Sequence, residues 1–209
     1  MDVPSGSTSG PAEGPTDGPA DAPADGLVGL YLMGLRGSGK TSLGEELALQ
    51  LGFRHVDLDE SIATREGRPV QEVLQDLGEE GFRSIEHRQL KFELGGLLRG
   101  GRVLSLGGGS IENAEIRKIL KMLRNEKHWV GVWIECEPRE LERRIGMSGG
   151  TGTRPRLLGR GLQEEMRILL TRRSRYFKEL SDHRFANPGG RIEQRARELL
   201  SILGQAPQS

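Results

Sequence analysis

The sequence predicts an α/β protein, a five-stranded parallel sheet with helices on both faces, and three observations carry that prediction. Apolar runs of strand length alternate with stretches of helical spacing, the order that parallel strands joined by crossover helices produce. The first run, Leu27-Val28-Gly29-Leu30-Tyr31-Leu32-Met33, leads into Gly34-Leu35-Arg36-Gly37-Ser38-Gly39-Lys40-Thr41, which fits the phosphate-binding pattern G-x-x-x-x-G-K-[ST]. Beyond that loop Leu43, Leu47, Ala48 and Leu51 keep helical spacing, so the loop joins a strand to a helix.

The loop explains its own composition. Glycines let successive backbone N–H groups turn toward one anion, and the N-terminus of the following helix adds partial positive charge. Gly37, Ser38, Gly39, Lys40, Thr41 and Ser42 are therefore candidate nucleotide contacts, with Lys40 reaching the β- and γ-phosphates. Thr41 offers a hydroxyl ligand to a phosphate-bound Mg²⁺. An enzyme acting on a nucleoside triphosphate is the expected class.

Composition narrows the alternatives. The chain has 209 residues, enough for one ordinary domain with a full core. Residues 1–26 hold five Pro, five Gly and five acidic residues with no Lys or Arg, a tail expected to stay disordered. Without those five acids, 30 Lys+Arg face 25 Asp+Glu, a positive balance that suits an anionic small ligand rather than a nucleic-acid track. No signal-like start or membrane-length apolar run is present, and Cys136 is the sole cysteine, so a cytoplasmic protein with one buried thiol is expected.

Along the chain, the second strand, around Phe53 to Leu58, ends in Asp57-Leu58-Asp59. The two carboxylates share one face if the chain stays extended, and a helix is expected from near Ser61, with Asp59 as its alternative role of cap. Near a triphosphate, one acid can hold metal-bound water while the other accepts a proton or hydrogen bond from a substrate hydroxyl. From Ser61 to Leu98 the spacing is helical, broken at Gly67-Arg68-Pro69 and at Gly78, an insertion that covers the acceptor. Arg83 shares the helical phase of Leu90, Leu94 and Leu97 there, so it points with the apolar stripe.

Val103-Leu104-Ser105-Leu106 is the third strand and runs into Gly107-Gly108-Gly109, where no side chain blocks a ligand from the backbone. A helix from Asn113 to Arg124, a strand from Val130 to Cys136 with Trp133 in the core, and a short segment near Phe185 followed by a final helix complete the pattern. Between them residues 146–161, rich in Gly and Thr, carry Arg154, Arg156 and Arg160, as a cationic closing lid over phosphates would. On the next helix Arg173 falls inside the stripe of Leu162, Met166, Leu169, Leu170, Phe177 and Leu180. Two helices thus aim an Arg along their apolar faces, and such forks suit an acceptor carboxylate.

Together these motifs, with Gly78-Glu79-Glu80-Gly81-Phe82-Arg83 and Arg154-Pro155, resemble shikimate kinase, in the nucleoside-monophosphate-kinase-like group of P-loop proteins, over about Leu27 to Leu203. The resemblance implies the three-layer P-loop kinase fold and transfer of the γ-phosphoryl group of ATP, with Mg²⁺, to the 3-hydroxyl of shikimate. It implies that Asp59 binds ring hydroxyls and serves as base, that Arg83 and Arg173 clamp the carboxylate, and that Gly107, Gly108 and Gly109 line the acceptor site. It further implies Asp57 and Ser105 as holders of metal-bound water, Arg144 and Pro188 on the two faces of adenine, and Arg154 over the phosphates. The lid departs from the family pattern, with Arg156 after Pro155 and a longer Gly-rich stretch, so Arg154, Arg156 and Arg160 remain alternatives for that contact. The expected partner is shikimate alone, with no nucleic acid or membrane, for a monomer. A kinase of another acceptor, such as gluconate or a nucleotide, and a non-catalytic regulator are the competing readings.

Overall fold

The computed structural model describes residues 26–95, 101–126, 128–147 and 161–205. Within them β1 (Gly29–Met33), β2 (Arg54–Asp57), β3 (Arg102–Ser105), β4 (Trp129–Glu135) and β5 (His183–Ala186) pair in parallel in the order β2-β3-β1-β4-β5. The helices are α1 (Lys40–Leu51), α2 (Leu58–Glu66), α3 (Val70–Gly95), α4 (Ala114–Asn125), α5 (Pro138–Met147), α6 (Leu162–Leu180) and α7 (Ile192–Ile202), with a 3₁₀ turn at Ser110–Glu112 before α4. The expected α/β architecture is the one observed. The acidic tail, apart from Gly26, and the body of the expected lid, with Arg154, Arg156 and Arg160, lie outside the described residues.

Strand side chains alternate between two cores. Tyr31, Met33, Leu104, Trp129 and Trp133 face a layer that holds Phe82 and Leu90 of α3, Ile116 and Leu120 of α4, and Phe177 of α6. Leu30, Leu32, Val103, Val132 and Ile134 face the opposite layer, where Leu43, Leu47 and Leu51 of α1 pack with Ala196, Leu199 and Leu200 of α7. Burial on both faces is why the central strands read as continuous apolar runs rather than as alternating ones. Each fully buried Leu or Phe contributes roughly 1.5–3 kcal/mol over an exposed one.

The helical breaks fall where the sequence places them. Gly67 closes α2 in a left-handed conformation, and Gly78 interrupts α3 with φ 67° and ψ −178°. The start of α2 corrects the sequence reading. It begins at Leu58, not near Ser61, because Asp57 caps it, its carboxylate accepting the backbone N–H groups of Asp59 at 3.0 Å and Glu60 at 3.3 Å. The chain therefore turns after Asp57, the two carboxylates do not share a strand face, and the cap is Asp57 rather than Asp59. Asn113 caps α4 in the same manner, accepting from Glu115 N–H at 3.0 Å.

Trp133 is buried as expected, stacked on Phe177 with centroids 5.4 Å apart, and Cys136 is a buried thiol whose pKa burial pushes up. Tyr31 crosses the same layer and donates its hydroxyl to Leu180 O at 2.6 Å, with its pKa raised by burial. A Cβ at Gly131 would sit 2.5 Å from the Tyr31 ring, so the absent side chain makes that crossing possible. Among the described residues no helix is long and apolar enough to cross a membrane. Tyr31→Phe is expected to lower unfolding free energy by about 1–2 kcal/mol, since a buried carbonyl loses its donor. Urea denaturation checks this, and an unchanged midpoint would show that the hydroxyl contributes nothing.

Candidate active site

β1 lies beside β3, yet the chain leaving β1 enters α1 on one face of the sheet while the chain leaving β3 enters α4 on the other. A crevice opens at the carboxyl ends of strands where neighbouring connections diverge in this way. Here it is a cleft of about 800 Å³, with the phosphate loop on one wall and Asp59, Arg83, Arg173 and Gly107 to Gly109 on the other.

The phosphate-loop wall is held from behind. Gly39, in the left-handed region at φ 92°, faces Asn187 so closely that a Cβ would come within 2.6 Å of its amide nitrogen. That amide donates to Ser38 O at 2.8 Å, and Arg144 Nη1 donates to the same carbonyl at 3.3 Å. Arg144 is itself fixed by Asn187 O at 2.9 Å and by Glu140 at 2.7 Å. From the other side Ser105 Oγ donates to Lys40 O at 3.1 Å, and with its only proton used there, His55 Nε2–H donates to Ser105 Oγ at 2.9 Å. Burial holds the His55 pKa below its ordinary value, in keeping with a neutral ring.

α1 has no side-chain cap among the described residues, so its first N–H groups remain available to an anion in the cleft. Lys40 folds back over the loop, its Nζ donating to Gly34 O and Leu35 O, each at 3.0 Å. Thr41 Oγ1 donates to Asp57 Oδ2 at 2.6 Å, so one carboxylate both caps α2 and meets the start of α1. A hydroxyl and a carboxylate at a phosphate loop are hard oxygen donors of the kind Mg²⁺ takes alongside phosphate and water. Among the described residues no group of three or more His, Cys, Asp or Glu could hold a metal.

The opposite wall is built on the three glycines. A Cβ at Gly107 would lie 2.6 Å from Asp59 Oδ1, and one at Gly109 would lie 2.8 Å from Arg83 Nη2 and 3.3 Å from Arg173 Nη2. The guanidinium groups of α3 and α6 thus converge over Gly109, while Asp59 of α2 faces Gly107, two residues earlier on the same loop. Arg83 Nη1 meets Glu86 at 2.6 Å and Nη2 meets Glu79 at 3.3 Å, while its Nε is buried without a hydrogen-bond partner among the described residues. Glu86 is fully buried and accepts from Ser110 Oγ at 2.7 Å; burial raises its pKa against the opposing pull of Arg83. Arg173 donates through Nε and Nη2 to Glu112 Oε2 at 3.0 and 2.6 Å, and burial draws its pKa down.

The structure brings Gly37, Gly39, Lys40, Thr41, Ser42, Asp57, Asp59, Arg83, Gly107, Gly108, Gly109, Arg144 and Arg173 to one cleft. It sets three other candidates apart from the lining. Ser38 is buried behind the loop, Ser105 is buried under Lys40, and Pro188 is exposed next to Asn187. Sequence reasoning missed Glu79, Glu86, Glu112, Asn187 and His55. Glu79 and Glu86 had a legible signal, standing four before and three after Arg83 on one helix. Glu112, Asn187 and His55 had none, since their partners lie 61, 149 and 50 residues away.

Comparison with known proteins places the chain in a family. A family model described as shikimate kinase matches residues 36–204. The shikimate kinase of Mycobacterium avium is 36% identical over 162 residues, covering 76% of this chain and 85% of the relative, and that of Staphylococcus epidermidis is 34% identical over 149 residues, covering 71% and 81%. Among solved structures, shikimate kinase from Acinetobacter baumannii in complex with shikimate superposes with a TM-score of 0.74 at 27% identity, covering 85% of this chain and 93% of that one. The enzyme from Aquifex aeolicus gives 0.66 at 26% identity, covering 84% and 96%. With a phosphate loop facing two converging arginines and a family match over most of its length, the chain belongs to the shikimate kinase family.

Proposed function

We propose that this chain transfers the γ-phosphoryl group of ATP to the 3-hydroxyl of shikimate, giving shikimate 3-phosphate and ADP. The observation that carries the reading is the convergence of Arg83 and Arg173 over Gly109, across one cleft from Lys40 and Thr41, with Asp59 beside Gly107 on the same wall. A small acid bearing hydroxyls suits this wall: its carboxylate meets the guanidinium groups and its ring hydroxyls meet Asp59, with one hydroxyl turned across the cleft toward the phosphate loop. The solved relative in complex with shikimate supports the choice of acceptor over gluconate or a nucleotide. Membership of a kinase family and a complete set of Lys40, Thr41, Asp59 and Arg83 weigh against a purely regulatory role.

In this reading the acceptor oxygen bonds to the γ-phosphorus as the bond from that phosphorus to the β–γ bridging oxygen breaks, ADP leaves, and Asp59 takes the hydroxyl proton. Lys40 exchanges its present carbonyl partners for β- and γ-phosphate oxygens, and the N–H groups from Gly37 to Ser42 cradle the phosphate chain. Thr41, and Asp57 through water, would hold Mg²⁺, which supplies neutralisation of phosphate charge. Arg144, pinned beside the loop, would lie against adenine, with Pro188 on the far side of the base. Ser105 acts through the Lys40 carbonyl it holds. Arg154 is proposed to enter over the phosphates, with Arg156 and Arg160 as its alternatives. A monomer in the cytoplasm completes the proposal.

The direct test is ADP release from ATP and Mg²⁺ with shikimate, quinate or gluconate as acceptor. Release that depends on shikimate alone is expected, and equal release with the other acids would overturn the assignment. Lys40→Ala should lower kcat by at least about two orders of magnitude, on the scale of a lost electrostatic contact to transferring charge. Near-normal turnover would remove Lys40 from the mechanism. Arg173→Lys keeps the charge but loses the planar fork, so KM for shikimate should rise about tenfold or more while KM for ATP stays within about twofold. Equal rises in both would contradict the clamp.

A further inference from the structure

The acceptor end of the cleft already contains a carboxylate in the place where a substrate carboxylate would bind. Glu112, at the end of the 3₁₀ turn that follows the three glycines, is largely buried. Its Oε2 takes the Nε and Nη2 edge of Arg173 at 3.0 and 2.6 Å and lies 4.0 Å from Arg83 Nη2. That edge is one of the two a guanidinium offers for bidentate recognition of a carboxylate. Its other oxygen, Oε1, lies 2.6 Å from Nε of Arg172, whose side chain is 62% exposed.

Charge balance sharpens the point. At this end of the cleft each of Arg83, Arg172 and Arg173 already has a carboxylate partner, in Glu79 and Glu86 for the first and Glu112 for the other two, while Lys40 and Arg144 are engaged at the phosphate loop. A further buried anion is costly without a cation to pair with. For an incoming carboxylate to take that edge of Arg173, a carboxylate already at this end has to give way. Glu86 is fully buried and fixed by Ser110, so it cannot leave, and Glu79 is 70% exposed and already near water. Glu112 alone bridges a buried arginine and an exposed one. It can release Arg173 while keeping Arg172.

We propose that Glu112 is a placeholder for the acceptor's carboxylate: it pairs with Arg173 before the acceptor binds and shifts outward with Arg172 when it does. The proposal rests on the shikimate reading above and adds to it a residue that sets acceptor affinity. Before acceptor binding Glu112 spares Arg173 an unpaired burial; in the complex the acceptor takes over that task. Acceptor binding is then an exchange of one ion pair for another, which lowers affinity and makes it sensitive to the charge of the acceptor.

Replacing Glu112 tests this directly. Glu112→Gln should bind shikimate about tenfold tighter, because no internal anion has to be displaced, and the gain should appear in KM for shikimate but not in KM for ATP. The methyl ester of shikimate, which carries no negative charge, should show no such gain. Without ligand the variant should melt below the parent protein, since Arg173 has lost its counter-ion, and saturating shikimate should raise its melting temperature by more than it raises the parent's. Should Glu112→Gln not fold, Glu112→Asp, whose shorter carboxylate withdraws from Arg173, should show a smaller tightening in the same direction. Unchanged or weaker shikimate binding by the folded variant, while the parent protein turns over shikimate, would overturn the placeholder alone and make Glu112 an aligner of Arg173. Absence of shikimate-dependent turnover in the parent protein would overturn the acceptor assignment, and the placeholder with it.

Discussion

The gap between β1 and β3 is the constraint on which the rest depends. These strands hydrogen-bond along their length, from Gly29 opposite Arg102 to Leu32 opposite Ser105, so their ends emerge side by side. Their continuations must then part, because α1 buries its apolar stripe on one face of the sheet and α4 on the other. Two glycine-rich segments are left facing each other across the opening, and a Cβ on Gly108 would already approach the backbone nitrogen of Arg36 to 3.2 Å. The site sits where the fold cannot fill its own space with side chains.

Rigidity and exchange are divided between backbone and side chain in the phosphate loop. The carbonyls of Ser38 and Lys40 are tied to Asn187, Arg144 and Ser105, residues delivered by three different segments of chain. Contacts within the chain thereby support the loop shape, which lowers the ordering entropy that binding an anion there has to cover. The Lys40 ammonium, in contrast, rests on two carbonyls of its own loop, partners that a phosphate oxygen can replace without disturbing that frame.

The acceptor end follows a different logic. Its arginines are buried enough that each needs a counter-ion, and the chain supplies carboxylates from its own helices and from the 3₁₀ turn. Arg83 is positioned by neighbours on its own helix, whereas Arg173 is positioned by a residue from a different element. The first arrangement is local and persists with the helix. The second depends on how α6 meets the turn after β3, and it is the one an incoming carboxylate can take apart.

The order of strands and helices, the phosphate loop, the buried arginine phases and the glycine triplet were legible in the sequence, because each is written in residues close together along the chain. Periodicity places a side chain on a face, and glycine spacing marks where backbone must approach a ligand. The turn after Asp57 was misread for a local reason: an Asp that ends a strand and an Asp that begins a helix look alike until the cap forms. What only the tertiary structure decided is which distant groups meet. That Glu112 would occupy Arg173, that Asn187 would hold Ser38, and that His55 and Ser105 would support Lys40 follow from strand pairing and helix packing between residues 50 or more apart. Sequence spacing carries no record of such contacts, since a hydrogen bond depends on position in space and a periodic pattern specifies only direction.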